Sequence, residues 1–341
     1  MTVEFGLDTF GDVAFEAGGR KLSDGETVRL LVEEAVLAEE SGLDFYNIGE
    51  HYKPDQVDTA GPVILAAIAG RTKRLRVGTS VLVLSTRDPV RVFHDFSTLN
   101  ALSHGRAELI VGRASQTESF PLFGFDMADY DALFEEKLEL LVKLLRETEV
   151  TWEGQSRSSL DRVTLRPLLE GPLSTWIGIG GNPQSVVRAA NHGFPLMIAI
   201  IGGEHRRFLP LIDLYERALK QAGQPQLPVG VHSLGLVAAT DGEAMDRYGP
   251  RWLAGFTAMS IARGYPAPSF AQFEAEVAKG SLFVGSPETV AQKMAKTIKD
   301  LRLSRFDLKY DLPGMRVDHR ADSIRLFGQE VVPRVRELLA P

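Results

Sequence analysis

The sequence contains no cysteine among its 341 residues. This absence excludes disulfide bonds, thiolate metal sites and a cysteine nucleophile, and it is typical of a protein from a reducing compartment. We therefore expect a cytoplasmic protein, in which any redox chemistry depends on a bound cofactor.

The chain also lacks a large excess of charge of either sign, because the formal net charge is only -7 and no basic cluster stands out. The electrostatic footprint of a nucleic-acid-binding protein is missing. Long apolar runs are missing too, and residues 1–8 carry no basic segment followed by an apolar one. We accordingly expect neither a nucleic-acid partner, nor a membrane span, nor a signal peptide.

The histidines form no metal-binding pattern, since neither an HxH pair nor an HExxH motif occurs. Apart from His51, they are scattered mainly over predicted helices, at His94, His104, His192, His205, His232 and His319. The sequence therefore predicts no metal site and disfavours a metal-dependent hydrolase.

Strands and helices alternate along the whole chain without a low-complexity linker. The predicted strands are 3–10, 44–49, 75–84, 106–112, 175–179, 195–200, 229–238 and 305–312. The predicted helices are 26–41, 61–71, 88–102, 129–146, 182–191, 204–222, 241–253, 286–301 and 322–339. Eight strand–helix units indicate one α/β domain over residues 1–341, a closed (β/α)8 TIM barrel, with a doubly wound open sheet as the alternative.

Three segments are too long for ordinary barrel loops, namely 11–25, 113–128 and 255–283. They are insertions after strands one, four and seven, and loops after strands build the active-site face of a barrel. We expect substrate walls or lids there, with 255–283 as the natural lid. Segment 150–172 precedes strand five, so we expect it at the opposite end of the barrel.

A glycine-rich turn, Gly178-Ile179-Gly180-Gly181-Asn182-Pro183, leads directly from strand five into a helix. Bare backbone and the free N–H groups of a first helical turn favour phosphate, and the hydroxyl of Ser185 lies in that turn. The alternative is a plain tight turn. Pro183 stands where a dinucleotide fingerprint has its third glycine, and no Walker-type lysine motif is present.

Polar residues also follow strands two and four. In Glu50-His51-Tyr52, the histidine could act as a general acid or base, with Glu50 tuning its charge and Tyr52 offering a hydroxyl or a flat wall. Arg113 could bind phosphate in a bidentate manner. A structural histidine and a surface salt bridge are the respective alternatives.

Aromatic residues Phe120, Phe123 and Phe125 follow Arg113. They either form an apolar pocket wall or anchor their loop to the barrel. Lys309 and Tyr310 near the end of strand eight are further candidates for the mouth of the barrel.

Together these residues resemble the bacterial-luciferase-like, flavin-dependent monooxygenase family over nearly the whole length. The matching segments, in order, are Glu50-His51-Tyr52, Val77-Gly78-Thr79-Ser80, Leu84-Ser85-Thr86-Arg87-Asp88-Pro89-Val90-Arg91, Ser103-His104-Gly105-Arg106, Gly112-Arg113, Val284-Gly285-Ser286-Pro287-Glu288 and Phe327-Gly328-Gln329-Glu330-Val331-Val332-Pro333. Their colinear order makes the resemblance specific.

The resemblance implies an oxidoreductase that uses FMN, reduced by a separate reductase, to activate oxygen towards a small apolar organic substrate, and it suggests a homodimer. It places Arg113, Gly180, Gly181, Asn182 and Ser185 at the flavin phosphate, Thr79 and Ser80 beside the flavin ring at a non-prolyl cis peptide, His51 in flavin chemistry, and Tyr52 and Phe120 near the substrate. Gly112 replaces a cysteine that some luciferases carry.

Tyr52 stands where luciferases have a second histidine, so we do not expect light emission. A deazaflavin-dependent reductase of the same superfamily would share the phosphate site. A non-catalytic flavin-binding protein is a further alternative, against which the retained His51 argues. A barrel aldolase or isomerase acting on sugar phosphates is another, although its phosphate site usually follows strands seven and eight rather than strand five.

Overall fold

The computed structural model describes residues 3–114, 117–262 and 264–340. Its strands are β1 Glu4–Thr9, β2 Phe45–Ile48, β3 Arg76–Val83, β4 Ala107–Gly112, β5 Val150–Trp152, β6 Leu160–Val163, β7 Ser174–Ile179, β8 Leu196–Ala199, β9 Val229–Val237, β10 Phe283–Gly285 and β11 Arg305–Lys309. Its helices are α1 Asp24–Glu40, α2 Gly61–Arg71, α3 Pro89–Leu102, α4 Ser119–Leu122, α5 Tyr130–Arg146, α6 Pro183–Asn191, α7 Leu209–Gln221, α8 Asp241–Ala262, α9 Phe270–Ala278, α10 Pro287–Leu301, α11 Val317–Leu326 and α12 Val332–Leu339.

Eight parallel strands close on themselves in the order β1, β2, β3, β4, β7, β8, β9, β11 and back to β1. The predicted (β/α)8 barrel is therefore confirmed, and the open-sheet alternative is wrong. Each of the eight predicted strands is present, while β5 and β6 form a separate antiparallel hairpin and β10 adds to the outside of β9.

Helix starts follow the capping chemistry of the sequence. The Asp88 carboxylate accepts from Val90 N at 2.9 Å and begins α3, and the Asn182 side chain accepts from Gln184 N at 2.8 Å and begins α6. Such caps satisfy backbone donors that have no partner within the helix. Because both helices follow barrel strands, these caps lie at the mouth of the barrel.

The barrel interior is more polar than the branched aliphatic packing usual for this fold. Arg305 is fully buried, with its guanidinium carbon 3.6 Å from the centre of the Phe45 ring. It donates to Asp307 at 2.9 Å and to Glu108 at 2.7 Å. Space for such large side chains comes from glycines on neighbouring strands, since a Cβ at Gly230 would lie 2.7 Å from Met197.

The third insertion is mostly helical rather than a long loop. Helix α8 continues to Ala262, beyond the predicted end at 253, and Trp252 and Phe256 stack one turn apart with ring centres 4.5 Å apart. Helix α9 then returns, and Phe273 packs against the same tryptophan. Glu276 of α9 accepts from the backbone N–H of Gly203 at 3.0 Å, which ties the insertion to the loop after β8.

The segment before β7 does not close the opposite end of the barrel, so this expectation was wrong. Val150 packs with Phe93 of α3 and Leu144 of α5 in one apolar cluster. Arg157 reaches Asp88 at 3.1 Å, which lies at the mouth end of α3. The hairpin thus covers α3 and α5, where its apolar side chains are buried against those of the two helices.

The closing helix also differs from its prediction over 322–339. It begins earlier, at Val317, and a π-helical turn at Phe327–Val331 separates α11 from α12. Within the described residues, no helix combines the length and the apolar character needed to cross a membrane.

Candidate active site

A cavity of about 860 Å³, counting its open mouth, lies at the C-terminal ends of the barrel strands. Of the ten residues that the resemblance assigned to a site, five line this cavity: His51, Tyr52, Ser80, Arg113 and Gly180. Phe10, Glu50, Val81, Val83, Ala114, Glu118, Ser119, Gly178, Ile179, Met197, Ala199, Ile201 and His232 complete it. The candidate residues at the ends of β2, β3, β4 and β7 therefore meet at one site.

His51 is held by a buried carboxylate. Its Nδ1 lies 2.7 Å from Asp58 Oδ2, and its backbone N–H donates to Asp58 Oδ1 at 3.1 Å. Burial raises the pKa of Asp58, and the neighbouring His51 opposes that rise. Gly49 permits this approach, since a Cβ there would lie 2.9 Å from the imidazole. With Nδ1 engaged, Nε2 is the nitrogen left for a ligand.

Glu50, which was expected to act on His51, makes its hydrogen bonds with other residues. Its carboxylate accepts from Val83 N at 2.9 Å, from Arg87 Nε at 2.8 Å and from the Tyr52 hydroxyl. These three donors occupy the carboxylate, so among the described residues it forms no hydrogen bond with His51. Burial, followed by the charge of Glu50, raises the pKa of Tyr52, so its phenol stays protonated.

Two arginines converge on Ser185 in the first turn of α6. Its Oγ lies 3.3 Å from Arg113 Nη2 and 3.1 Å from Arg188 Nη1. Gly181, in the turn before the helix, has a φ of +118°, which favours glycine. The site thus combines two guanidinium groups with a helix N-terminus, an arrangement suited to an anion.

Each arginine is also paired on its other side, Arg113 with Asp131 and Arg188 with Glu135. Asp131 is 74% exposed, so its screened charge competes only weakly with a ligand for Arg113. Sequence reasoning missed Arg188, although its position one turn after Ser185 in the predicted helix was a usable signal.

Thr79 and Ser80, both predicted to lie beside the flavin ring, point to opposite faces of β3, because side chains alternate along a strand. Ser80 lines the cavity, whereas Thr79 points away and donates to the Ile110 carbonyl at 3.2 Å. The peptide bond between Ser80 and Val81 is cis. A Cβ at Gly112 would lie 2.8 Å from Val81, and so a side chain there would collide with the cavity wall.

Phe120 is placed behind the cavity wall and is not among the residues that line it. It is fully buried and stacks on Tyr130 with ring centres 5.6 Å apart. Phe123 instead reaches the rim, where it meets Tyr52 edge-on at 5.2 Å. Ser119 does line the cavity, and its buried Oγ has no hydrogen-bond partner among the described residues.

Lys309 and Tyr310 both lie outside the cavity lining. Lys309 is buried and donates to Asp12 at 2.7 Å and to Asp311 at 2.9 Å. The hydroxyl of Tyr310 donates to Glu34 of α1 at 2.7 Å, on the outer side of the strand.

A second histidine reaches the cavity from β9. His232 lines the floor and its Nδ1 lies 2.7 Å from Oδ2 of the buried Asp8. Sequence reasoning missed this pair, although strand alternation places Gly230 and His232 on one face. In the described parts of the chain, no group of three or more histidine, aspartate or glutamate side chains could hold a metal ion.

The sequence profile of the luciferase-like monooxygenases matches residues 9–305 of this chain. The chain belongs to this family. The alkanal monooxygenase alpha chain of Photorhabdus luminescens is 24% identical to this luciferase-like protein, over 96% of this chain and 98% of the relative. The F420-dependent glucose-6-phosphate dehydrogenase of Amycolatopsis mediterranei is 33% identical over 45% of this chain and 48% of the relative.

Among solved structures, the monooxygenase RslO1 from Streptomyces bottropensis superimposes on this luciferase-like barrel with a TM-score of 0.84. The match has 23% identity and covers 97% of this chain and 99% of the other. The family thus joins monooxygenases and F420-dependent enzymes on one barrel, and it identifies the chain as a luciferase-like monooxygenase or oxidoreductase.

Proposed function

We propose that this protein is an FMN-dependent monooxygenase that acts on a small apolar organic substrate. The observation that carries the proposal is the convergence of Arg113 and Arg188 on Ser185, directly beside the cavity that holds His51. One phosphate site adjoining one ring-sized cavity suits a flavin mononucleotide better than a dinucleotide.

The residues present fit FMN in both of its parts. The phosphate would be held by Arg113, Arg188, the Ser185 hydroxyl and the backbone around Gly181. The flavin ring would lie against Ser80 and Val81, with Gly180 offering bare backbone. The unpartnered Oγ of Ser119 in the lining supplies a further polar contact for a bound ring.

Reduced FMN, when bound, supplies the electrons that activate molecular oxygen. The chain's own residues do the rest. His51, oriented by Asp58, can take up or release a proton at Nε2. The phenol of Tyr52 stays protonated and donates its proton to Glu50, so its oxygen can accept a hydrogen bond from a molecule in the cavity. The insertion built on α8 and α9 can limit the access of bulk water.

An apolar substrate is supported by the outer part of the cavity. Ile201 lines the cavity while remaining 42% exposed, and Phe123 is 48% exposed next to Tyr52. The carboxylate of Glu50 is already paired with Arg87 and does not offer a free charge to the substrate. Apart from the exposed Glu118, the rim therefore presents mainly apolar surface.

The proposal includes two partners. The anion site at Arg113, Arg188 and Ser185 suits one phosphate and offers no place for a nicotinamide dinucleotide. A separate reductase would therefore deliver the reduced flavin, as the resemblance implies. We also propose a homodimer, as the resemblance implies. A deazaflavin-dependent reductase is the second candidate function, favoured by the 33% identity with the F420-dependent dehydrogenase.

An anaerobic titration tests the proposal. Reduced FMN should bind more tightly than reduced FAD or NADH, and exposure to oxygen should then give an absorbance spectrum distinct from that of free flavin. Tighter binding of a deazaflavin coenzyme, with no effect of oxygen, would favour the reductase. Binding of NADH without any binding of FMN would refute the cofactor assignment.

A further inference from the structure

The floor of the cavity holds a second imidazole with its own carboxylate. The rings of His51 and His232 both pack on Phe10, with centres 4.2 Å and 5.7 Å from it. The ring of His232 lies nearly parallel to that of Phe10, at 10°. Because its Nδ1 lies 2.7 Å from Asp8, Nε2 is the nitrogen left for a molecule in the cavity.

The Asp8 carboxylate is not used elsewhere. It is fully buried, and Oδ2 lies 2.7 Å from Nδ1 of His232 as an ion-pair contact whose angle is poor for a hydrogen bond. Neither oxygen has another hydrogen-bond partner among the described residues. Glu50 and Asp307, in contrast, are hydrogen-bonded to Arg87 and Arg305. A buried carboxylate without hydrogen bonds is costly and is not expected from packing alone.

We propose that His232, held by Asp8, is a second acid–base residue of this cavity and serves the substrate side of the reaction. This inference rests on the proposed function and adds a residue to its site. His51 and His232 then form two separately anchored proton carriers, both packed on Phe10.

The proton step balances within the pair. Nε2 of His232 takes one proton from an acidic O–H or C–H group of the bound molecule, and the electron pair of that bond stays on the molecule. The imidazolium formed is balanced by the ionised Asp8. The same proton leaves from Nε2 to the departing product or to water, which restores the starting state.

Several charges set the pH range of the pair. Asp8 of β1 faces His232 of β9, and it lies near Asp307 and Lys309 of β11. Burial raises the pKa of Asp8 to about 6, although His232 and Lys309 oppose that rise. Below this pH the carboxyl group is neutral and can no longer balance an imidazolium, so the pair works only on the alkaline side.

The chain offers a matched control outside the cavity. His205 lies 2.9 Å from Asp300, and its other ring nitrogen lies 3.4 Å from the Thr297 hydroxyl. It is the same kind of pair, yet both of its nitrogens have partners and it does not line the cavity.

The first experiment treats the wild-type protein with diethyl pyrocarbonate, which acylates accessible neutral imidazole nitrogens, and maps the modified peptides by mass spectrometry. We expect modification of His232, slower modification in D8N, and protection by FMN. Modification of His205 should not respond to FMN. Lack of reaction at His232 in the ligand-free protein would show that Nε2 is buried in packing and would overturn the proposal.

The second experiment follows product formation against pH once a substrate is known. We expect H232Q to lower kcat about a hundredfold with little change in FMN affinity, and D8N to lose the acid limb near pH 6. The control H205Q should match the wild type. An unchanged kcat in H232Q, with intact FMN binding, would refute the role of His232 and leave the proposed function standing. Absence of FMN binding in the wild type would instead refute the proposed function.

Discussion

Val81 occupies the space that a side chain at Gly178 would need. A Cβ built on Gly178 of β7 comes closer than 3.0 Å to Cγ1 of Val81 in β3, and Gly112 of the intervening strand β4 borders the same valine. The position of this valine, and with it one wall of the cavity, therefore depends on two bare backbone positions.

Substitution G178A should destabilise the protein by about 1–3 kcal/mol, because the added methyl group collides with Val81. The double variant V81A/G178A should recover most of that loss, as measured by urea unfolding. The control G180A should be close to the wild type, since a Cβ there meets nothing within 4 Å. Additive losses in the double variant would argue against the steric explanation.

Substitution R113A should weaken FMN binding about ten- to a hundredfold, because it removes charge-assisted hydrogen bonds to the phosphate. Riboflavin, which lacks the phosphate, should bind equally well to the variant and the wild type in a fluorescence titration. The control D131A removes the exposed partner of Arg113 and should not weaken FMN binding. Equal losses for FMN and riboflavin in R113A would contradict phosphate binding.

Substitution H51A should lower turnover, or the coupling of oxygen use to product, without changing the circular dichroism spectrum. D58N should give a smaller loss of the same kind, since it keeps the shape of the side chain that orients His51. Both are measured as product formed per oxygen consumed. Wild-type turnover in H51A would reduce this histidine to a structural role.

Glu34 should make stability depend on pH. Burial raises its pKa from 4.5 to about 7 in the folded chain, despite the nearby Arg320 and the Tyr310 hydroxyl. Between these values the folded state holds a proton that the unfolded state has lost. The free energy of unfolding therefore falls as pH rises through this window, by up to about 1.4 kcal/mol per pH unit.

Substitution E34Q should remove this part of the pH dependence in urea unfolding between pH 5 and 8. The neighbouring E33Q is the control, because Glu33 is 60% exposed and pairs with the surface residue Arg71. Other buried carboxyl groups such as Asp8 act equally in all three proteins. An unchanged pH slope in E34Q would show that Glu34 is ionised throughout.

The barrel was predictable because its signals are local. Runs such as 75–84 mark buried strands, and the caps at Asp88 and Asn182 mark helix starts. The end of α8 was missed since its continuation depends on tertiary packing of Trp252 against α9. The hairpin after α5 was misplaced for the same reason, as nothing local specifies which surface it covers.

The candidate site was predictable in part. His51, Tyr52, Ser80, Arg113 and Gly180 meet at the cavity because residues at the ends of barrel strands converge. Their roles remain predictions. Partnerships were harder, since Asp58 lies in a loop without a motif, and a periodic pattern does not show that Glu50 turns towards Arg87 instead of His51.

The link between Glu276 and Gly203 has a consequence for protein engineering. Helix α9 and the loop that carries Ile201 are joined by this hydrogen-bonded carboxylate, so the position of the loop depends on the helix. A chimera that receives the insertion of a relative without the matching loop after β8 would leave that loop without its anchor. The insertion and the loop after β8 should therefore be exchanged together when segments are transferred between this protein and a relative.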